Sequence, residues 1–128
     1  MGQQQLLLII LGVIIVGIAI AVGISMFSSS SIQSNKDGII NDLNNLAANA
    51  YQYRIRPTTM GGGGGSYTAF VVPAKLQTNS NGSYTTTSVA AASITFKGTS
   101  AQATANTVTC VLDSTGALKS FTYAGDFQ

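Results

Sequence analysis

The sequence predicts an α+β protein: a long N-terminal helix, apolar and then amphipathic, packed against a small antiparallel β-sheet head. Three observations carry this. Residues 6–27 form an apolar run interrupted only by Gly12, Gly17, Gly23 and Ser25. Beyond it, Ile32, Ile39, Leu43, Leu46, Ala50 and Tyr53 recur at helical spacing on one continuous face. After five consecutive glycines, β-branched, aromatic and Thr-rich runs alternate with turn residues.

The first element spans residues 1–27. As a helix its apolar run is about 33 Å long, enough to cross a bilayer's hydrocarbon core. It is apolar on every side, so every face must meet lipid or protein. Gly12, Gly17 and Gly23 each cost about 1 kcal/mol relative to Ala. Unwinding would instead free backbone groups in a dry setting at several kcal/mol each, and no proline removes a bond outright. A continuous, gently curved helix through Gly12–Gly23 is therefore expected when this segment is packed in an assembly of like segments. No Lys or Arg precedes the run, although a signal peptide or an uncleaved anchor normally carries basic flanking residues. Met1 is expected to be the terminus left after removal of a short basic leader.

Residues 28–56 continue the helix as an amphipathic half. Ile39, Leu43, Leu46, Ala50 and Tyr53 form the face expected to pack on the head, with Ile40, Ala47 and Tyr51 as a second row. Asn35, Lys36, Asp42, Asn45, Asn49 and Gln52 are assigned to the opposite face. Gly38 is a weak spot and not a stop. Pro57 ends the element, since it disfavours helical geometry at Arg56 and donates no hydrogen bond. Residues 57–65 read as a Gly-rich, flexible linker.

Residues 66–128 are the β head, with three to five strands expected. Residues 67–76 are a strand candidate that Pro73 confines to an edge or a bend. Asn81-Gly82 is a two-residue hairpin signal; with Ser83 it also fits an N-glycosylation acceptor at Asn81. Residues 84–96 offer one long or two short strands closed by Lys97-Gly98. Thr107–Leu112 alternates Val108, Cys110 and Leu112 against Thr107, Thr109 and Val111. A turn at Asp113–Gly116 leads to residues 118–123, which set Phe121 and Tyr123 on one face. So small a head has a marginal core alone, and the helix is its missing layer.

Composition narrows the function. Charged residues are 8% of the chain, against roughly 25% in ordinary soluble domains. A formal charge of +2 spread this thinly makes no basic patch, so no nucleic-acid partner is indicated. There is no His and no Glu, and no Ser or Cys has a visible base partner, so neither an enzyme nor a cofactor or metal site is expected. The lone Cys110 reads as a small buried hydrophobe.

An apolar N-terminal helix running into an amphipathic half that carries a small antiparallel sheet resembles a type IV pilin. The likeness covers the whole length as architecture, while its sequence-specific part lies in residues 1–27. It implies cleavage by a prepilin peptidase, a methylated amine on Met1, insertion in the inner membrane and then export by a pilus assembly machinery. The product is a homopolymer, an extracellular filament at the cell surface. Its core is formed by Leu6, Leu7, Leu8, Ile9, Ile10, Leu11, Val13, Ile14, Ile15, Val16, Ile18, Ile20, Val22, Ile24, Met26 and Phe27. Pilins usually carry Glu at the fifth position, facing a neighbour's terminal amine; Gln5 keeps a hydrogen-bonding side chain there without the charge. The usual proline near Val22 and Gly23 is absent, and Cys110 alone cannot close a disulfide loop. A structural subunit, a major pilin, is the function this implies. The alternatives are a bitopic anchored binding protein that does not polymerise, or a secretion-system pseudopilin.

The first expected outcome follows from the missing basic flank. Mass spectrometry of native protein is expected to find a chain beginning at Met1 with added methyl mass on its amine. Recovery of mature protein with an upstream leader still attached would contradict it.

Overall fold

The computed structural model describes residues 2–128. Helix α1 runs from Gly2 to Ile55 without a break. In the single chain the hydrogen-bond ladder thus passes through Gly12, Gly17, Gly23 and Gly38. The chain divides into two compact units, Met1–Gln33 and Ser34–Gln128. Over the described residues the first is helix alone; the second comprises the rest of α1 and everything after it.

Pro57 stops α1 as expected, but the glycine run is not a loose joint. The last carbonyls of a helix lack intrahelical partners. Here Gly63 N–H donates to Tyr53 O at 2.8 Å, Gly65 N–H to Arg54 O at 2.7 Å and Gly64 N–H to Arg56 O at 3.0 Å. Residues 61–65 fold back over the helix end and satisfy it. Gly64 (φ 58°) and Gly65 (φ 96°) lie in the left-handed region, which a side chain at either position would resist. Five glycines therefore read as floppy by propensity and are ordered by the carbonyls beside them.

The head holds a four-stranded antiparallel sheet in the order β1-β2-β3-β4: Gly82–Val89, Ile94–Ser100, Thr107–Leu112 and Leu118–Ala124. The α+β class is the one expected, and β3 with its Asp113–Gly116 turn lies where the alternation placed it.

Three local expectations are corrected. Residues 67–76 form no strand. They cross the core as irregular chain burying Tyr67, Phe70 and Val72, and end in a one-turn helix α2, Ala74–Gln77. Pro73 caps that turn, and packing of three large side chains outweighs their β propensity. Asn81-Gly82 is not the centre of a two-residue hairpin: Thr78 bridges Ser83, and Gly82 already pairs with Ser100. Lys97-Gly98 does not close a strand either. β2 runs through it to Ser100, and the reversal falls at residues 90–93, where Ala90 N–H donates to Ser93 O at 2.8 Å. That turn contains neither Gly nor Pro, so composition did not mark it.

Gly98 has a packing role. A Cβ there would sit 2.6 Å from Ile39 Cγ2 and 3.2 Å from the Tyr84 ring. The missing side chain lets α1 and Tyr84 close over the middle of β2. The core then assembles from Ile39, Leu43, Leu46, Ala47 and Ala50 of α1 against Tyr84, Ile94, Phe96, Val108, Cys110 and Leu112 of the sheet, all buried. Tyr53, the last residue of the predicted face, is half-buried and meets Phe70 at 5.6 Å between ring centroids. Phe127, brought in by a final 3-10 turn, is also buried.

A bulge shapes the edge strand β4. Thr109 pairs with Thr122 but Val111 with Lys119, so Ser120 and Phe121 together oppose Cys110. Ser120 adopts φ 55° there. The shift leaves Lys119 on the outer face with Val111 and sets Tyr123 on the helix face with Val108. Phe121 and Tyr123 share a face as expected, their rings 6.5 Å apart.

Two substitutions test this packing in detergent-solubilised protein by denaturant unfolding. Leu46→Ala is expected to cost about 2–5 kcal/mol through the cavity it leaves. Gly98→Ala is expected to cost about 1–3 kcal/mol by overpacking against Ile39 and Tyr84.

Candidate functional site

Two surfaces stand out, one in each unit. In the first unit, Leu6, Leu7, Leu8, Ile9, Ile10, Leu11, Val13, Ile14, Ile15, Val16, Ile18, Ile20, Val22, Ile24, Met26 and Phe27 are all exposed, from 51% at Val22 to 77% at Phe27. Gln5 is exposed too, one turn from the start of α1. α1 is long and apolar enough to cross a membrane by length and composition. Exposed apolar surface this large, contiguous around a helix, marks a membrane or protein contact. Met1 lies outside the described residues.

In the second unit, a polar cluster joins α1 to the start of the sheet. Asp42 Oδ2 accepts from Asn79 Nδ2 at 2.8 Å, Asn81 Nδ2 at 2.9 Å and the Tyr84 hydroxyl. Two turns earlier on α1, the buried Asn35 donates from Nδ2 to Asn81 O at 3.0 Å and accepts from Ser100 Oγ. Asn35 and Asp42 therefore do not lie on the face opposite the head, where the polar pattern assigns them. Asn35 lies one turn from Ile39, and Asp42 directly precedes Leu43, so both border the buried stripe. A polarity-based division of the wheel misassigned them because their partners come from residues 79–100, far along the chain. Asn81 is held by this cluster: the amide nitrogen that a glycan would occupy is a donor to Asp42.

The electrostatics follow. Burial pushes the Asp42 carboxyl up, but the hydrogen bonds from Tyr84, Asn81 and Asn79 outweigh it and leave the pKa below the usual carboxylate value. Burial and the Asp42 carboxylate together push the Tyr84 hydroxyl far up, so it stays a donor. At the other end of the head, Asp113 accepts from Thr115 N–H, Thr115 Oγ1 and Ala117 N–H and pairs with Lys119 at 2.7 Å. The Lys119 ammonium first, and then the turn donors, hold its carboxyl well below the usual range. Arg54 ties this turn to the helix end: its Nη1 donates to Ser114 O at 2.7 Å.

Chemistry at these positions is limited. Burial pushes the Cys110 thiol up to about 11, so it is protonated at neutral pH and packs as an apolar side chain. Among the described residues, no three His, Cys, Asp or Glu side chains come together to hold a metal ion. Compared with known protein families, curated proteins and solved structures, the chain matches none.

The Asp42 cluster and the Asp113 turn together generate a pH dependence. In the unfolded chain Asp titrates near about 3.9, whereas folded Asp42 and Asp113 titrate lower. As pH falls below about 4, the unfolded state takes up protons first and the head loses stability until the folded carboxyls also protonate. Above about pH 5 their contribution is fully present. Denaturant midpoints against pH are expected to show this acid slope. Asp42→Asn is expected to remove its own share of the slope, leaving that of Asp113, and to cost about 1–3 kcal/mol at neutral pH through a donor left unpaired.

Proposed function

We propose that this chain is the structural subunit, a major pilin, of a type IV pilus-like extracellular filament assembled by bundling of its N-terminal helices. The observation that carries the proposal is the stem surface: apolar, helical and exposed on every side through residues 6–27. The head buries its own apolar stripe between α1 and the sheet, so its core is complete without the stem. The stem's surface needs a different partner. In the membrane before assembly that partner is lipid. In a filament it is the stems of neighbouring copies, each Leu-sized side chain removed from water contributing about 1.5–3 kcal/mol. Identical subunits joined by a heterologous contact that does not close give an open helical fibre.

Gln5 takes the inter-subunit role in this reading. Its amide, carried into a dry bundle, needs a neighbour's terminal amine or a backbone carbonyl, and leaving it unpaired costs about 1–3 kcal/mol. Processing by a prepilin peptidase and methylation of Met1 belong to the same proposal. A bitopic anchor that presents the head without polymerising is the second reading, and the membrane-spanning capacity of α1 supports it equally.

Shearing of cells separates the two. A filament subunit is expected to leave with thin fibres that sediment from the supernatant, whereas an anchor stays with the membranes. Within the filament reading, Gln5→Leu is expected to reduce fibre yield or disturb fibre order more than Gln3→Leu, scored by electron microscopy. Equal piliation in both variants would remove Gln5 from the subunit contact.

A further inference from the structure

Asn81-Gly82 is the only Asn-Gly pair in the chain. An asparagine followed by glycine is prone to attack its own side chain, because no side chain shields the next peptide nitrogen. The nitrogen of residue 82 bonds to Cγ of residue 81, and the side-chain amide leaves as ammonia with the proton that nitrogen gives up. Water then opens the resulting succinimide at either carbonyl, leaving aspartate or isoaspartate.

In the folded head every group needed for that closure is held. Gly82 N–H, the nucleophile, donates to Asn79 Oδ1 at 3.1 Å. Asn81 N–H donates to the same oxygen at 2.9 Å. The peptide oxygen of Asn81 accepts from Asn35 Nδ2 and from Ala101 N–H, each at 3.0 Å, so the plane between the two residues cannot turn. The leaving amide donates to Asp42 Oδ2 at 2.9 Å. That amide also lies flat on Gly38 of α1, where a Cβ would stand 3.0 Å from its Cγ, Nδ2 and Oδ1 alike. Gly82 itself is buried and paired with Ser100.

We propose that Asn81-Gly82 is a latent self-modification site: the folded head keeps it inert, and unfolding releases it to convert into a product that cannot rebuild the cluster around Asp42. The second half follows from the same contacts. An acid at residue 81 replaces the donor facing Asp42 with a second carboxylate, and two carboxylates at that distance cannot both ionise. An isoaspartate adds a methylene to the backbone just before β1 and displaces the pairing of Gly82 with Ser100. A head that stays unfolded is thereby marked irreversibly, whichever reading of the stem holds.

The test uses the full chain in detergent micelles, half kept native and half held in urea at the same neutral pH and temperature. Peptide mapping by mass spectrometry follows amide-to-acid conversion at each asparagine. Conversion at Asn81 is expected to outrun that at Asn79 in urea and to be at least about a hundredfold slower in native protein, where it waits on opening of the head. After removal of urea, converted chains separated by charge are expected not to recover the native near-ultraviolet circular dichroism. Similar rates in both samples, or converted chains that refold as the parent does, would overturn the proposal. Asn81→Asp tests the product directly: it is expected to lower the denaturant midpoint, and adding Asp42→Asn to restore most of the loss. An Asn81→Asp chain as stable as the parent would also overturn it.

Discussion

One helix face under one sheet face is the contact on which the head depends. A single-layer sheet of four short strands has nothing of its own to cover its apolar side. Ile39, Leu43, Leu46 and Ala50 supply that cover, each fully or almost fully buried. The outer face is left to residues such as Thr95, Lys97, Thr99, Thr107 and Thr109, half-exposed and polar, as an antiparallel sheet with one solvated side should be. The irregular segment with Tyr67, Phe70 and Val72 and the final Phe127 close the two remaining gaps. Gly98 sets how closely the layers approach, because the space a side chain would fill is taken by Ile39 and Tyr84.

Both ends of the amphipathic half of α1 are secured by polar groups from distant parts of the chain. At its C-terminal end the glycine run answers the unpaired carbonyls of Tyr53, Arg54 and Arg56, while Arg54 reaches the β3–β4 turn. Nearer its start, Asn35 and Asp42 gather the chain before β1 and the end of β2. Between these clamps the contact is apolar. Directional hydrogen bonds fix where along the helix the sheet sits; the apolar burial that supplies most of the stability has no such direction. Gly38 leaves room on the helix for the Asn81 side chain, which a Cβ there would approach to 3.0 Å.

The stem follows the opposite rule. Its large apolar side chains from Leu6 to Phe27 are all exposed. Its backbone is complete within itself. That self-sufficiency suits an apolar surrounding, where an unpaired peptide group costs far more than a glycine's lost propensity.

Sequence by itself determined what depends on neighbours along the chain: the unbroken apolar helix, the stripe from Ile39 to Tyr53, the stop at Pro57, the alternation of β3 and the turn at Asp113–Gly116. In each, the period of the backbone or the geometry of a single residue sets the outcome locally. Only the tertiary structure decided where partners come from elsewhere. Residues 67–76 have strand propensity and still pack as irregular chain. The glycines have no propensity for order and are ordered by carbonyls that happen to need them. Asn35 and Asp42 are polar residues bordering an apolar stripe, and they turn inward because Ser100, Asn79, Asn81 and Tyr84 arrive to meet them. A hydrogen bond between residues 37 or more positions apart leaves no period in the sequence. Its energy exists only once the apolar contact has brought both ends together.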